Sequence, residues 1–371
     1  VYFYARRKYS PGEALFMKEW QQKLLLALAS SLFSLVLGEI AAQVFYYKQN
    51  NRWLWSALSE FKVSYAIPVK DRREFTLNPG YRDQSISINE LGFRGPLVDP
   101  VATQGTPVVC VIGDSVPFGY GVSDSDAYPY ILDQLFQGSG KYVRVINAGI
   151  PSYTIRQSFD RLWKDVLPRY ACNVVVLQAA NDFSLLTNYR DDWTPDLTWA
   201  SMRFKGSWRP SLLQYSAVVT YLDLFMTRGE REKHPYESHQ KYPTNRLLAF
   251  LEPMLTDQIR LLQAKHIPLV VMPIDLFYYE RDPEPRNSHL ALMPRWGAHY
   301  AVWHENLGEI NDLLKNVSQG KDGVYFLDIR AEMDSQDRNA TFIDIIHYSP
   351  RGARFVAERL FDFLVGKELV P

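Results

Sequence analysis

From residue 107 onward, short uninterrupted apolar runs alternate with segments whose apolar residues return every three or four positions, and few architectures accept that alternation. The runs cover residues 108–112, 143–146, 174–177, 267–272 and 324–327, and the helix-periodic segments cover 128–136, 155–167, 246–265 and 300–317. A strand with no polar face must be covered on both sides, which is the situation of a parallel sheet between two helical layers. The expected fold is therefore α/β, a three-layer sandwich around a central parallel sheet of about five strands. A last helix is well marked: Ser349 can cap it, Pro350 fits its first turn, and Val356, Ala357, Leu360 and Leu364 repeat at helical spacing. In such sheets functional groups gather in the loops at the carboxyl ends of the strands.

Three regions follow from this pattern: a basic flank and hydrophobic helix over 1–47, a lead-in over 48–106, and the α/β domain over 107–371. Within the last, residues 183–245 and 274–298 break the alternation and read as insertions rich in Trp, Tyr, Pro and Arg. In the lead-in, Ile86 and Ile88 alternate as in a short half-buried strand, closed by turns at Gly92 and Gly95-Pro96.

The run LLLALASSLFSLVL over 24–37 is uncharged, and Glu39 and Gln43 interrupt it before Phe45, Tyr46 and Tyr47. Extended to Tyr47 it is long enough for a bilayer, with Glu39 near one interface and the aromatics as a belt. Arg6, Arg7, Lys8, Lys18 and Lys23 precede it, so the positive-inside rule keeps that flank cytoplasmic and exports the larger part. A helix packed on the domain and a cleaved signal are the alternatives, and the latter lacks a small-x-small cleavage site. The chain opens on Val1 rather than Met, which is what a fragment or processed form would show.

Across 371 residues, 41 basic side chains balance 41 acidic ones, which gives no electrostatic reason to expect a nucleic-acid partner. Cys110 and Cys172 lie far apart without a Cys-x-x-Cys, so no zinc site is suggested. They read as two buried free thiols, with a single bridge as the alternative for an exported chain. His299 and His304 are five apart, off the spacing of a metal pair, and no cofactor or metal is expected. Trp193, Trp199, Trp208 and Tyr215 in the first insertion suit either a substrate wall or local packing.

The strand ends carry the candidate chemistry. The first run leads to Gly113-Asp114-Ser115, the second to Asn147-Ala148-Gly149, and the third to Asn181-Asp182; Asp344-Ile345-Ile346-His347 precedes the final helix. A serine hydroxyl needs a base to become a nucleophile, and an imidazole titrates in the right range. His347 can be that base, with Asp344 three residues earlier fixing its tautomer if the segment turns. The oxyanion of a tetrahedral intermediate needs preset donors, which the backbone N–H groups of Ser115 and Gly149 and the amide of Asn181 can supply. Asp114 and Asp182 read as structural, bonding loop backbone beside the site. Gly119 and Gly121 do not form a dinucleotide loop, since Asp124 stands where its third glycine belongs. Pro117 likewise excludes the Gly-x-Ser-x-Gly elbow of α/β-hydrolases.

Gly113-Asp114-Ser115 with Gly119 and Gly121, then Gly149, then Asn181-Asp182, then Asp344-x-x-His347 resemble in order the four sequence blocks of the SGNH (GDSL-type) esterase and lipase superfamily. The resemblance implies the flavodoxin-like SGNH fold, with Ser115 as nucleophile, His347 as base, Asp344 as its partner and Gly149 and Asn181 as oxyanion donors. The stretch from Asn89 to Gly95 and the single N-terminal helix are similar to membrane-anchored bacterial members of this group. The implied substrate is an O-acyl ester of a cell-envelope glycan, with O-acetyl as the narrower reading, cleaved or transferred; longer-chain lipase or thioesterase action and a silent glycan-binding role are the competing readings. Two departures stand out: Ala179 replaces the usual glycine of the third block, and Val116-Pro117 follow the serine where polar or aromatic residues are frequent.

Overall fold

The structure is a computed structural model that describes residues 11–50, 65–179, 181–182, 216, 218, 244–275, 294–344 and 346–371. The chain divides into two compact units, Val1–Lys62 with Ser207–Glu232, and Val63–Gly206 with Lys233–Pro371. Trp193, Trp199, Trp208 and Tyr215 lie outside the described residues.

In the first unit, α1 (Pro11–Asn50) is one continuous helix, and its stretch Glu19–Phe45 is long and apolar enough to cross a membrane. Leu25, Leu26, Leu28, Leu32, Phe33 and Leu35 are all exposed, so the apolar residues of this helix do not converge on a single buried stripe.

The second unit is built on a five-stranded parallel sheet of β3 (Val108–Gly113), β4 (Arg144–Gly149), β5 (Cys172–Gln178), β6 (Leu269–Val271) and β7 (Val324–Phe326). Their order is β4-β3-β5-β6-β7, which gives the parallel sheet expected from the alternation in the doubly wound flavodoxin-like order that the resemblance implies. Every residue of β3 is buried, as a central strand under two helical layers requires. Helices α3 (Tyr128–Gly138) and α9 (Pro350–Gly366) pack against each other, with the short α7 (Arg330–Asp334) and α8 (Arg338–Thr341) preceding α9 in the chain. A second group packs together as well, with α5 (Thr244–Gln263) against both α4 (Ile155–Arg161) and α6 (Pro294–Ser318). The chain reverses direction across the sheet between β3 and β5, so the crevice at their carboxyl ends is the position where this topology places ligands. The helix expected over 155–167 is α-helical only to Arg161 and finishes in a wider π-type turn, Leu162–Val166.

The cysteines are not free. Cys110 and Cys172 form a disulfide with their Cα atoms 5.8 Å apart. The cause is a bulge: Val109 pairs with Val174, yet Val108 pairs with Cys172, leaving Asn173 as the extra residue whose Oδ1 accepts the Val108 N–H at 2.9 Å. Strand residues alternate between faces, so without Asn173 bulging out, Cys172 would point away from Cys110. The one-residue shift turns it onto the face that Val108 and Cys110 share.

The lead-in opens with an antiparallel hairpin, β1 (Ala66–Pro68) with β2 (Phe75–Leu77). The strand expected at Ile86 and Ile88 is instead a run of isolated bridges, Arg82 with Ser87 and Ile88 with Arg94, and Arg94 bridges on to Asn147 of β4. Tyr65, Ala66, Phe75, Leu77 and Ile88 of this lead-in share a small buried core with Phe118, Ile150 and Tyr153. Those three residues belong to the turns that follow β3 and β4, so the lead-in packs directly beneath the candidate site.

Candidate active site

Ser115 begins a four-residue helical turn, α2 (Ser115–Phe118), directly after β3. Asp114 caps it, its side chain accepting the Val116 N–H at 2.9 Å, which is the structural role its sequence position suggested. As the first residue of the turn, Ser115 carries one of the N–H groups that helix geometry leaves without an internal partner, and no hydrogen bond to it is formed by the described residues.

Asp344 and His347 come from the segment just before α9. The Asp344 carboxylate folds its own segment, with Oδ1 accepting the N–H groups of Ile346 at 2.9 Å and His347 at 2.7 Å. Its Oδ2 lies 2.7 Å from His347 Nδ1, and His347 Nε2 lies 2.8 Å from Ser115 Oγ. Three side chains named from sequence thus form one hydrogen-bonded row over a separation of 232 residues. The segment is fixed by neighbours close in sequence: the Ile343 N–H donates to the His347 carbonyl at 2.9 Å, and Ser349 caps α9. At Gly352 a Cβ would stand 2.0 Å from the Thr341 carbonyl oxygen, so only glycine lets α9 approach this segment so closely. The Tyr120 ring lies 4.9 Å from the His347 ring, centroid to centroid, and walls it on one side.

The electrostatics follow from the row. Burial acts to lower the His347 pKa, but the Asp344 charge and hydrogen bond outweigh it, so the imidazole is held above its ordinary value. Burial acts to raise the Asp344 carboxyl, and His347 with the two backbone donors brings it below the usual carboxylate range. Such a pair keeps the acid ionised and ready to stabilise an imidazolium, the state reached when the ring takes a proton from a hydroxyl.

The candidate donors are placed less simply. Gly149 pairs with Gly113 at the sheet's end, but its N–H donates to Asn147 Oδ1 at 3.1 Å. What the structure demands of Gly149 is space, since a Cβ there would stand 2.5 Å from the Phe118 nitrogen. The Asn181 side-chain amide donates to the Tyr153 carbonyl at 3.3 Å, which ties the end of β5 to the turn after β4. Asp182 accepts the Ile155 N–H at 2.9 Å, again as a structural group.

The roles of three residues escaped the sequence reading. Ser152, in the turn after β4, has φ +70°, a conformation rare for a residue with a Cβ, and no hydrogen bond to its N–H is formed among the described residues. Asn147 donates from Nδ2 to the Pro117 carbonyl at 3.0 Å, binding β4 to the Ser115 turn. Arg94 is 4% exposed and spends its guanidinium on that same turn. Its Nη1 donates to the Phe118 and Gly119 carbonyls, its Nη2 to Val122 at 2.6 Å and its Nε to Asp124 at 2.8 Å, while its plane lies over the Phe118 ring. A buried cation in the lead-in is the signal that would have drawn attention to it, and burial is not visible in the string Gly-Phe-Arg-Gly.

Several solved structures align with this chain at low identity. They include TesA (14% identity, 71% of this chain and 99% of that one, TM-score 0.42) and a lipase/acylhydrolase from Enterococcus faecalis (14%, 70% and 96%, 0.36). A catalytic mutant of an acetylxylan esterase from Geobacillus stearothermophilus aligns similarly (17%, 72% and 97%, 0.41). A search of curated proteins finds no match. The model of the GDSL-like lipase/acylhydrolase family matches residues 111–355, a span from β3 to the first turns of α9 that takes in Ser115, Asp344 and His347, and by that match the chain belongs to this family.

Proposed function

We propose that this protein is a serine esterase in which Ser115 attacks the carbonyl of an O-acyl ester and becomes acylated. The observation that carries the reading is the unbroken row from Ser115 Oγ through His347 to Asp344. His347 Nε2 takes the hydroxyl proton as Oγ bonds to the carbonyl carbon, and returns it to the departing alcohol when the tetrahedral intermediate collapses. Water, or the hydroxyl of an acceptor, then repeats the sequence to release the acyl group. The N–H of Ser115 and the amide of Asn181 serve the oxyanion. The third donor, assigned to Gly149 from sequence, is better filled by the N–H of Ser152, because that of Gly149 is already engaged by Asn147.

The site is further proposed to work outside the membrane, on O-acetyl esters of an envelope glycan. Two observations support export: the basic flank ahead of α1, and the Cys110–Cys172 disulfide, a bond that persists in oxidising compartments. A fluorophosphonate probe should label the full chain in detergent, and Ser115→Ala should abolish labelling; a mutant that still labels overturns the assignment of the nucleophile. With a 4-nitrophenyl ester series, fastest turnover of the acetyl ester supports the short-acyl reading, and rates that keep rising to about eight carbons overturn it in favour of a lipase-type pocket.

A further inference from the structure

The helix α1 is exposed along most of its apolar length, but one short stripe near its carboxyl end is covered. Gly38, Glu39, Ala42 and Gln43 lie on that stripe, and Gln43 is 3% exposed while Leu35, Leu37 and Ile40 around it remain open. Glu39 is its centre. One carboxylate oxygen accepts from Gln43 Nε2 at 2.8 Å; the other accepts from the Ser216 hydroxyl at 2.7 Å and the Val218 N–H at 3.1 Å. The Val218 side chain faces Gly38, where an added Cβ would sit 3.6 Å from it, an ordinary contact distance.

Ser216 and Val218 belong to the first insertion, which leaves the sheet after β5 and Asn181 and returns at α5. A carboxylate near the end of a membrane-length apolar helix is costly unless paired, and its partner there is the natural place to look for a second element. The partner's sequence suits an interface: from Leu212 to Met226 the only formal charge is Asp223, and along the sequence Tyr215 and Tyr221 bracket Ser216 and Val218. The small residues Gly38 and Ala42 allow close approach, as they do between helices in lipid.

We infer that the chain around Ser216 and Val218 docks on the outer end of the membrane anchor, with Glu39 as its polar receptor at the lipid interface. The anchor is then a two-part device, one part of which is spliced into the insertion that follows Asn181. The α/β unit is tethered to the first unit at three crossings of the chain, Lys62 to Val63, Gly206 to Ser207 and Glu232 to Lys233, rather than at one. This rests on the reading of α1 as a membrane anchor.

The test is disulfide cross-linking of the full chain in native membranes. The pair Gly38→Cys and Val218→Cys should cross-link on mild oxidation. The pair Leu28→Cys and Val218→Cys, displaced by about 15 Å along the helix, should not. Glu39→Leu removes the charged acceptor of the Ser216 hydroxyl and the Val218 N–H and should lower the 38–218 yield about tenfold. Glu39→Gln, which keeps an acceptor oxygen, should retain most of it. Carbonate extraction separates the two ideas at stake. A chain that stays in the membrane but cross-links no better at 38–218 than at 28–218 overturns the docking alone, whereas a chain released by carbonate overturns the anchor and the docking with it.

Discussion

The turn after β3 and the segment before α9 supply the two ends of one hydrogen-bonded row, and they are held in place by different means. Ser115 sits in a turn clamped from a distance: Arg94 of the lead-in grips three of its carbonyls and Asn147 of β4 a fourth. His347 sits in a segment that ties itself down, through Asp344 to two neighbouring N–H groups and through Ile343 to the His347 carbonyl. The position of Ser115 is therefore a tertiary property, and the position of His347 is a local one. Substitutions at a distance in sequence should disturb the first, and only near neighbours should disturb the second.

The largest effect belongs to the local end. Asp344→Asn keeps the size of the side chain but removes the charge that holds His347 in its working tautomer, and turnover should fall on the order of 10⁴-fold. The pH profile carries the sign. In the proposed mechanism hydrolysis needs the neutral imidazole, so the wild-type rate should rise with pH through a midpoint above the ordinary histidine value of about 6.5, because Asp344 raises the pKa against the opposing pull of burial. In Asp344→Asn burial acts unopposed by that charge, so the midpoint should move down. Rate against pH for a 4-nitrophenyl ester checks both, and a midpoint that stays put or rises would show that Asp344 does not set the protonation of His347.

The distant end comes next. Arg94→Met leaves the carbonyls of Phe118, Gly119 and Val122 and the Asp124 carboxylate without their donor, and breaking a buried ion pair in this way costs about 3–5 kcal/mol. Stability by denaturant titration should fall by that much. Probe labelling of Ser115, measured at a temperature where the variant is still folded, should slow more than its unfolded fraction explains. If the folded variant labels at the wild-type rate, the clamp supports the fold and does not position the serine.

This contrast also explains what the amino-acid string disclosed. The alternation of apolar runs was sufficient for the sheet and its order of elements, because buried parallel strands leave an unbroken apolar signature. Asp344 and His347 were legible because three residues of separation fix their geometry locally. The disulfide was not, because it depends on the bulge at Asn173, a matter of register between two strands. Arg94 was not, because one arginine between Phe93 and Gly95 looks like any turn charge until it is known to be buried. Gly149 shows a related limit: a glycine can mark a free N–H or a close approach, the string does not distinguish them, and here the Phe118 nitrogen requires the close approach.

The turn after β4 gives the smallest expected effect and tests that last distinction. Ser152 adopts a left-handed backbone, at a cost of about 1–2 kcal/mol for a residue with a Cβ, while glycine adopts it freely. Ser152→Gly relieves that cost but adds freedom to the unfolded chain, so stability should change by no more than about 1 kcal/mol. If the turn serves the oxyanion through the backbone N–H, the hydroxyl is dispensable and turnover should stay close to the wild-type rate. A loss of about tenfold or more, with folding intact, would mean that the Ser152 side chain itself meets the substrate. The turn after β4 would then act through a side chain, as the His347 segment does, and not through its backbone.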